Sequence, residues 1–402
     1  MIHVITKTHS RMATIMVSFD AGSRVEESGG YSAGIAHMLE HSLFKGTPTR
    51  TSIGMQKEIA FLGGSSNAFT SHESVAYFIS VPYENVEPCL DILSDMVFSP
   101  IFPEEEILKE IEVVKEEEAS SLDDPQSYMW RQFSSEFFDN YLGSPVIGSS
   151  DSISEFTVDE VRRFHSEFCS RKNAVVSLCS NLKKKDAKSL LNKYFGSQSG
   201  KMGKRFKYNT SNYFEARGMQ IERPGIEHTY VWMGTPSIVT GSPLEASAQV
   251  MMTILGRGMD SRLFTEVREK HGLVYGISSS FNDWQGGGLS LVEFSTRDQN
   301  VSSALDIVDS QIEDIKMNLC QDEEVQRAKN KMRSSFYAAI EDSYSMCYWG
   351  IKEKLFGIPS IEQYMANIDA VTSDGIIEAA NNMFDESKSL TLICKGCSEG
   401  EE

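Results

Sequence analysis

The two halves of this chain end alike. Thr157-Val158-Asp159-Glu160 opens an apolar-periodic helix with a threonine cap, and the strand Val175–Cys179 follows it. Thr372-Ser373-Asp374 opens a second such helix, followed by the strand Leu390–Cys394. The cap threonines are 215 residues apart (372 − 157), and so are the strand cysteines Cys179 and Cys394 (394 − 179). Equal offsets at two anchors mark an internal repeat of about half the chain. A length of 402 residues also exceeds one ordinary core, so two homologous domains are expected.

The seam falls where periodicity is lost. Gly196-Ser197-Gln198-Ser199-Gly200 and the basic run from Lys201 to Lys207 have neither helical nor strand spacing. A linker near residues 196–212 gives an N-terminal domain over 1–200 and a C-terminal domain over 212–402. In the first half Ala13–Asp20 and Ser74–Val81 read as strands. Gly34–Phe44, Ser52–Leu62, Val86–Phe98 and the acidic Glu104–Ser120 read as helices. The expected fold class is α+β, each domain a mainly antiparallel sheet with helices packed on one face.

Composition excludes some functions. A net charge of −19 argues against nucleic-acid or anionic-membrane surfaces and suits cationic substrates or solubility alone. No run of 18 apolar residues occurs, and Met1 to Lys7 lacks a basic segment leading into an apolar one. Neither a membrane helix nor a signal peptide is expected. The seven scattered cysteines suit reduced thiols in a cytoplasmic setting. Cys394-Lys395-Gly396-Cys397 has redox or metal spacing but no second Cys/His pair nearby, and reads as a strand end.

Chemistry concentrates in His37-Met38-Leu39-Glu40-His41. This is H-x-x-E-H, the inverse of the H-E-x-x-H zinc signature. Residues four apart share a helix face, so His37 and His41 can offer imidazole nitrogens to one Zn²⁺. Glu40 stands at the edge of that face, placed to take a proton from a water molecule that the metal activates. A catalytic zinc needs a third protein ligand. On the acidic helix, Glu110 and Glu117 are seven residues apart, with Val113 and Val114 between them on the same stripe. A carboxylate on an apolar stripe must be paired, hydrogen-bonded or bound to metal. Glu116 or Glu118 takes the place of Glu117 if the register slips by one. The helix at Leu244–Leu255 occupies the matching place in the second half but has no histidine and one glutamate, so that half is silent for metal.

With these residues in place, the chain resembles the pitrilysin (insulinase) family of zinc peptidases, over both halves. The family combines H-x-x-E-H with an acidic helix bearing two glutamates seven apart, the second about 76 residues downstream; here 117 − 41 = 76. Gly22-Ser23-Arg24, Phe44-Lys45-Gly46-Thr47 and Asp124-Pro125 are similar to the family's surroundings. The chain departs from it in a short first strand region, with ten residues before Arg11. The resemblance implies His37, His41 and Glu117 as zinc ligands, Glu40 as general base and Glu110 as support. It implies that Asn67, Ala68, Phe69 and Thr70, with Glu73 and Tyr77, form an edge strand to which an extended peptide adds its backbone. In the second half it implies that Arg268 and Tyr275 hold the substrate carbonyl or its oxyanion.

The resemblance also bears on assembly. Family members with four such domains close around peptides, whereas this chain has two. A homodimer is therefore expected, the Arg268 and Tyr275 of one protomer completing the zinc site of the other. The activity expected is zinc-dependent endopeptidase hydrolysis of short or unfolded peptides in a closed chamber. The alternatives are a non-catalytic scaffold subunit and a dedicated presequence-processing peptidase.

Overall fold

The computed structural model describes residues 2–6, 11–196, 213 and 215–397. Five strands of the first half form one sheet: β1 (Ile2–Thr6), β2 (Met12–Phe19), β3 (Ser65–Thr70), β4 (Val75–Pro82) and β5 (Val175–Ser180). Five of the second half form another: β6 (Arg217–Pro224), β7 (Thr229–Pro236), β8 (Val274–Trp284), β9 (Gly287–Thr296) and β10 (Leu390–Cys397). Their orders, β1-β5-β2-β4-β3 and β6-β10-β7-β9-β8, are the same path drawn twice. In each, one pair is parallel (β1 with β5, β6 with β10) and the other pairs are antiparallel. The repeat inferred from Cys179 and Cys394 thus corresponds to β5 and β10, the strands second from the edge.

The helices that position the site are α1 (Ile35–Ser42), α2 (Ser52–Phe61), α3 (Val86–Phe98), α4 (Glu104–Asp123), α5 (Pro125–Phe137) and α6 (Val158–Phe168). The second half contributes α7 (Glu245–Gly256), α8 (Val301–Met317), α9 (Asp322–Glu341), α10 (Ser343–Leu355) and α11 (Ser373–Met383). Both repeat threonines are N-caps: Thr157 accepts from the Glu160 N–H at 3.2 Å, and Thr372 from the Gly375 N–H at 3.2 Å.

The two compact units are not the two halves. The first takes in the chain to Asp123, the stretch beginning at Ser144, and Tyr337–Ile358; the second takes in Asp124–Gly143 and the remainder. So α5 belongs to the second unit, and α10, from the far half of the sequence, belongs to the first. The expected split of 1–200 from 212–402 misses this exchange, and the expected linker falls mostly on residues 197–212, outside the described residues.

Local chemistry makes the exchange possible. Each long acidic-headed helix, α4 and α9, has 20 residues and is followed at once by an aspartate that caps the next helix. Asp124 accepts from the Ser127 N–H at 2.7 Å with Pro125 in the first turn, and Asp342 accepts from the Ser345 N–H at 3.0 Å. A capped break redirects the chain without leaving orphan donors.

In the first unit α10 covers one face of the sheet. Cys347 and Ile351 pack with Met16, Ala76, Val175 and Cys179, and the Cys347 thiol reaches the Thr14 carbonyl at 3.0 Å. On the opposite face Phe19 meets Phe98 of α3, ring centroids 6.2 Å apart. Two covered faces explain why β2 is buried almost throughout instead of alternating. In the second unit Met129, Phe133 and Phe137 of α5 pack with Trp232, Leu289 and Leu392. Gly234 permits that approach, because a Cβ there would lie 2.4 Å from the Phe133 ring. The glycines after Gln285 form a hairpin: Gly286 (φ +86°) closes the turn that pairs Trp284 with Gly287. No helix among the described residues is long and apolar enough to cross a membrane.

Candidate metal centre

Helix α1 is two turns long, and the i, i+4 spacing sets His37 and His41 side by side, ring centroids 4.7 Å apart. Helix α4 crosses opposite them. The Glu117 carboxylate faces both rings, Oε1 at 3.8 Å from His37 Nε2 and Oε2 at 3.4 Å from His41 Nε2. One donor atom from each of the three residues falls within 4.8 Å of the others. Tetrahedral ligands about 2.0–2.1 Å from a zinc ion stand roughly 3.3 Å apart, so two imidazole nitrogens and a carboxylate at these separations fit that ion. Among the described residues no other group of His, Cys, Asp or Glu has such spacing.

The register of α4 is settled by what faces where. Its buried face is Ile107, Glu110, Ile111, Val114 and Glu118. Val113, expected on that stripe, is half exposed, because the buried face runs through Val114 and Glu118 and Val113 lies beyond its edge, with Glu117 at that edge. Glu117 is the residue aimed at the histidines, and Glu118 is buried one step around.

Glu110 lies one layer behind. Its Oε1 is 2.9 Å from His41 Nδ1, and its Oε2 pairs with the Lys45 ammonium. A carboxylate on Nδ1 fixes the proton there and leaves Nε2 as the electron-pair donor. His37 has no such support: its Nδ1 is buried without a hydrogen-bond partner. Burial, followed by repulsion from His41, lowers the His37 pKa to about 4, so it stays in the neutral, ligating form.

Glu40 sits beside the histidines. Burial raises its pKa; the hydrogen bond from Thr70 and the charge of His41 pull it down, and Glu117 pushes it up again. The Thr70 hydroxyl donates to Glu40 Oε2 at 2.5 Å.

That contact comes from β3, which pairs with β4 on one side and stands at the edge of its sheet. Successive side chains alternate. Thr70, and with it Ala68, turns toward α1, while Phe69 points the other way and packs edge-on against Tyr348 of α10 at 5.3 Å. Asn67 accepts the Ala68 N–H on its own Oδ1 at 2.9 Å. The Phe69 side chain is therefore part of the scaffold, because strand alternation turns it into the α10 face. Tyr77, opposite Ala68, is wholly buried with its hydroxyl unpartnered. Glu73 pairs with the buried Arg24 at 2.7 Å.

Arg268 and Tyr275 lie together in the second unit. The Arg268 guanidinium stands 4.5 Å from the Phe264 ring centroid and 5.5 Å from that of Tyr275. Tyr275 is 88% exposed, at a break in the β8–β9 register between Val274 and Ile277. The residues that sequence reading left without a role are Lys45 and the hydroxyl of Thr70. Neither has a spacing signal, since both act through partners far along the chain.

Comparison with known proteins bears on both halves. Residues 2–150 match the family Insulinase (Peptidase family M16), and residues 155–332 match the family Peptidase M16 inactive domain. An uncharacterized zinc protease of Rickettsia felis is 32% identical over 381 residues, covering 92% of this chain and 90% of that one. One of Bacillus subtilis is 28% identical over 386 residues, covering 95% and 93%. A Helicobacter pylori protease structure shares the fold with a TM-score of 0.89 at 22% identity, covering 98% of this chain and 96% of that one. With a full-length relative above 30% identity and both halves matched, the chain belongs to the insulinase family of peptidases, family M16.

Proposed function

We propose that the chain is a zinc-dependent endopeptidase acting on short or unfolded peptides. The observation that carries this is the meeting of His37, His41 and Glu117 around one point, with Glu40 alongside. Relatives named zinc proteases support it. Bound by those three residues, zinc would supply Lewis acidity that polarises a peptide carbonyl and acidifies water.

The protein's own groups do the rest. The free edge of β3 takes an extended peptide backbone as an added strand, beside α1. Glu40 accepts the proton of the attacking water on one carboxylate oxygen, while Thr70 holds the other oxygen still. The same carboxyl group then protonates the departing amine. Glu110 and Lys45 keep the His41 ring fixed throughout. Two copies of the chain would form a closed chamber, Arg268 and Tyr275 of one protomer steadying the oxyanion at the site of the other.

Cleavage of a peptide library by wild type and Glu40→Gln, with and without a zinc chelator, tests this. Wild-type cleavage abolished by chelator, and absent from a zinc-loaded Glu40→Gln protein, is the expected result. Cleavage that survives either treatment overturns it, and a wild type that binds no zinc points to the scaffold alternative. A single cleaved sequence among many offered favours the processing alternative.

A further inference from the structure

A helix of eight residues is marginal by itself, yet α1 carries His37, Glu40 and His41. Its first turn leaves backbone N–H groups without intrahelical partners. Gly34 stands at the N-cap position with φ +93° and has no side chain to cap with; a Cβ there would come within 2.3 Å of the Ile147 carbonyl oxygen. The cap arrives from elsewhere. Glu26 Oε2 accepts the Gly34 N–H at 2.9 Å, and Glu26 Oε1 accepts the Ala36 N–H at 2.9 Å. Ala36 immediately precedes His37. Glu26 is 4% exposed, so these two bonds are not diluted by solvent. The approach to α1 is held in the same manner: Glu160 of α6 accepts the Ser32 N–H at 2.8 Å and the Ser32 hydroxyl at 3.2 Å.

We infer that Glu26 is a positioning residue for the metal centre, its carboxylate bridging the Gly34 and Ala36 N–H groups and so fixing the depth and rotation of α1. This rests on reading His37, His41 and Glu117 as the zinc site. Glu26 touches neither metal nor substrate; it acts through the helix. Two acceptor oxygens are required because two N–H groups must be met. Burial, with the charge of Glu160 adding to it, raises the Glu26 pKa to about 8, while the bonds from Ala36 and Gly34 pull it down; the bridge therefore rests on the two accepting oxygens and not on charge. Glutamine keeps the shape but turns a donor NH₂ against one of the two N–H groups. A slip of α1 would carry both imidazoles off Glu117 together.

The test compares wild type, Glu26→Gln, Glu26→Asp and Tyr31→Phe. Tyr31 secures the same approach loop through Glu167 at 2.7 Å without touching the N–H groups of α1. Zinc affinity is measured by competition with a chromophoric chelator, and site geometry by the visible absorption of the Co²⁺-substituted protein. Glu26→Gln should bind zinc about tenfold more weakly with an altered Co²⁺ spectrum, Glu26→Asp should recover part of the loss, and Tyr31→Phe should match wild type. A folded Glu26→Gln with wild-type zinc affinity and Co²⁺ spectrum overturns the inference. Should Glu26→Gln not fold, amide exchange in the metal-free wild type decides: slow exchange at Gly34 and Ala36 supports the bridge, and loop-like exchange there overturns it. A wild type that binds no zinc overturns the metal reading instead, and the same exchange measurement still decides the Glu26 bridge.

Discussion

Thr70 donates its hydroxyl to Glu40 at 2.5 Å, joining the strand proposed to bind the peptide to the proposed base. One contact therefore couples where the substrate lies to how readily Glu40 holds a proton. Removing it with Thr70→Val takes away an interaction that lowers the Glu40 pKa and leaves the burial that raises it. The acid limb of the kcat/KM profile should move to higher pH, with zinc content unchanged. Peptide hydrolysis followed from pH 5 to 8 checks this; an unmoved limb would mean that the hydroxyl is incidental to the base.

The pair Lys45–Glu110 predicts a graded loss of metal. Glu110→Gln leaves His41 Nδ1 with a weaker acceptor, and Lys45→Met removes the charge that anchors the carboxylate. Zinc affinity should fall by about 10- to 100-fold for the first and by less for the second, as read by chelator competition. Equal, wild-type affinities in both would show that His41 needs no support.

Completion of the site by a second protomer makes a test by mixing. Glu40→Gln and Tyr275→Phe proteins should each be nearly inactive, a general base alone being worth about 10²–10⁴ in rate. Mixed dimers containing one of each should regain activity at the single site that has Glu40 on one side and Tyr275 on the other. Mixtures no more active than their parents would exclude cross-subunit completion.

His72 predicts how acid weakens the fold. It is 7% exposed, and burial lowers its pKa from 6.5 to about 4. The folded chain resists the proton that the unfolded chain accepts. Its contribution is thus complete above pH 6.5 and shrinks as pH falls toward 4, by roughly 3 kcal/mol in all. Urea midpoints of chelator-treated wild type and His72→Gln at pH 7 and pH 4.5 measure it. The variant should lose less stability on acidification than wild type; parallel losses would assign the acid sensitivity to other groups.

What could be read from residues alone was what spacing encodes. The i, i+4 histidines and the seven-residue step from Glu110 to Glu117 are helical periods. The histidines lie side by side and both glutamates face them, but Glu110 is buried while Glu117 stands exposed at the edge of the face instead of on an apolar stripe with Val113. The 215-residue offset gave two sheets of one topology. Spacing says which face is apolar, and is silent about what that face meets. For that reason the stripe Met129, Phe133, Phe137 did not reveal that it covers the second sheet, nor Cys347 and Ile351 that they cover the first. The same gap hid the turn of Phe69 toward Tyr348 and the reach of Lys45 to Glu110. Glu26 was the hardest to see, because its partners are backbone N–H groups, which have no letter in a sequence.

The exchanged helices α5 and α10 have a consequence for the chain as a physical object. Severed in the linker, it would yield two fragments, each lacking a helix for its own sheet and bearing one that suits the other's. Neither fragment would hold a closed core alone, and each would supply the other's missing layer. The polypeptide link between them is then a convenience of synthesis. Two separately produced halves, nicked near residue 200, should find each other and fold as one.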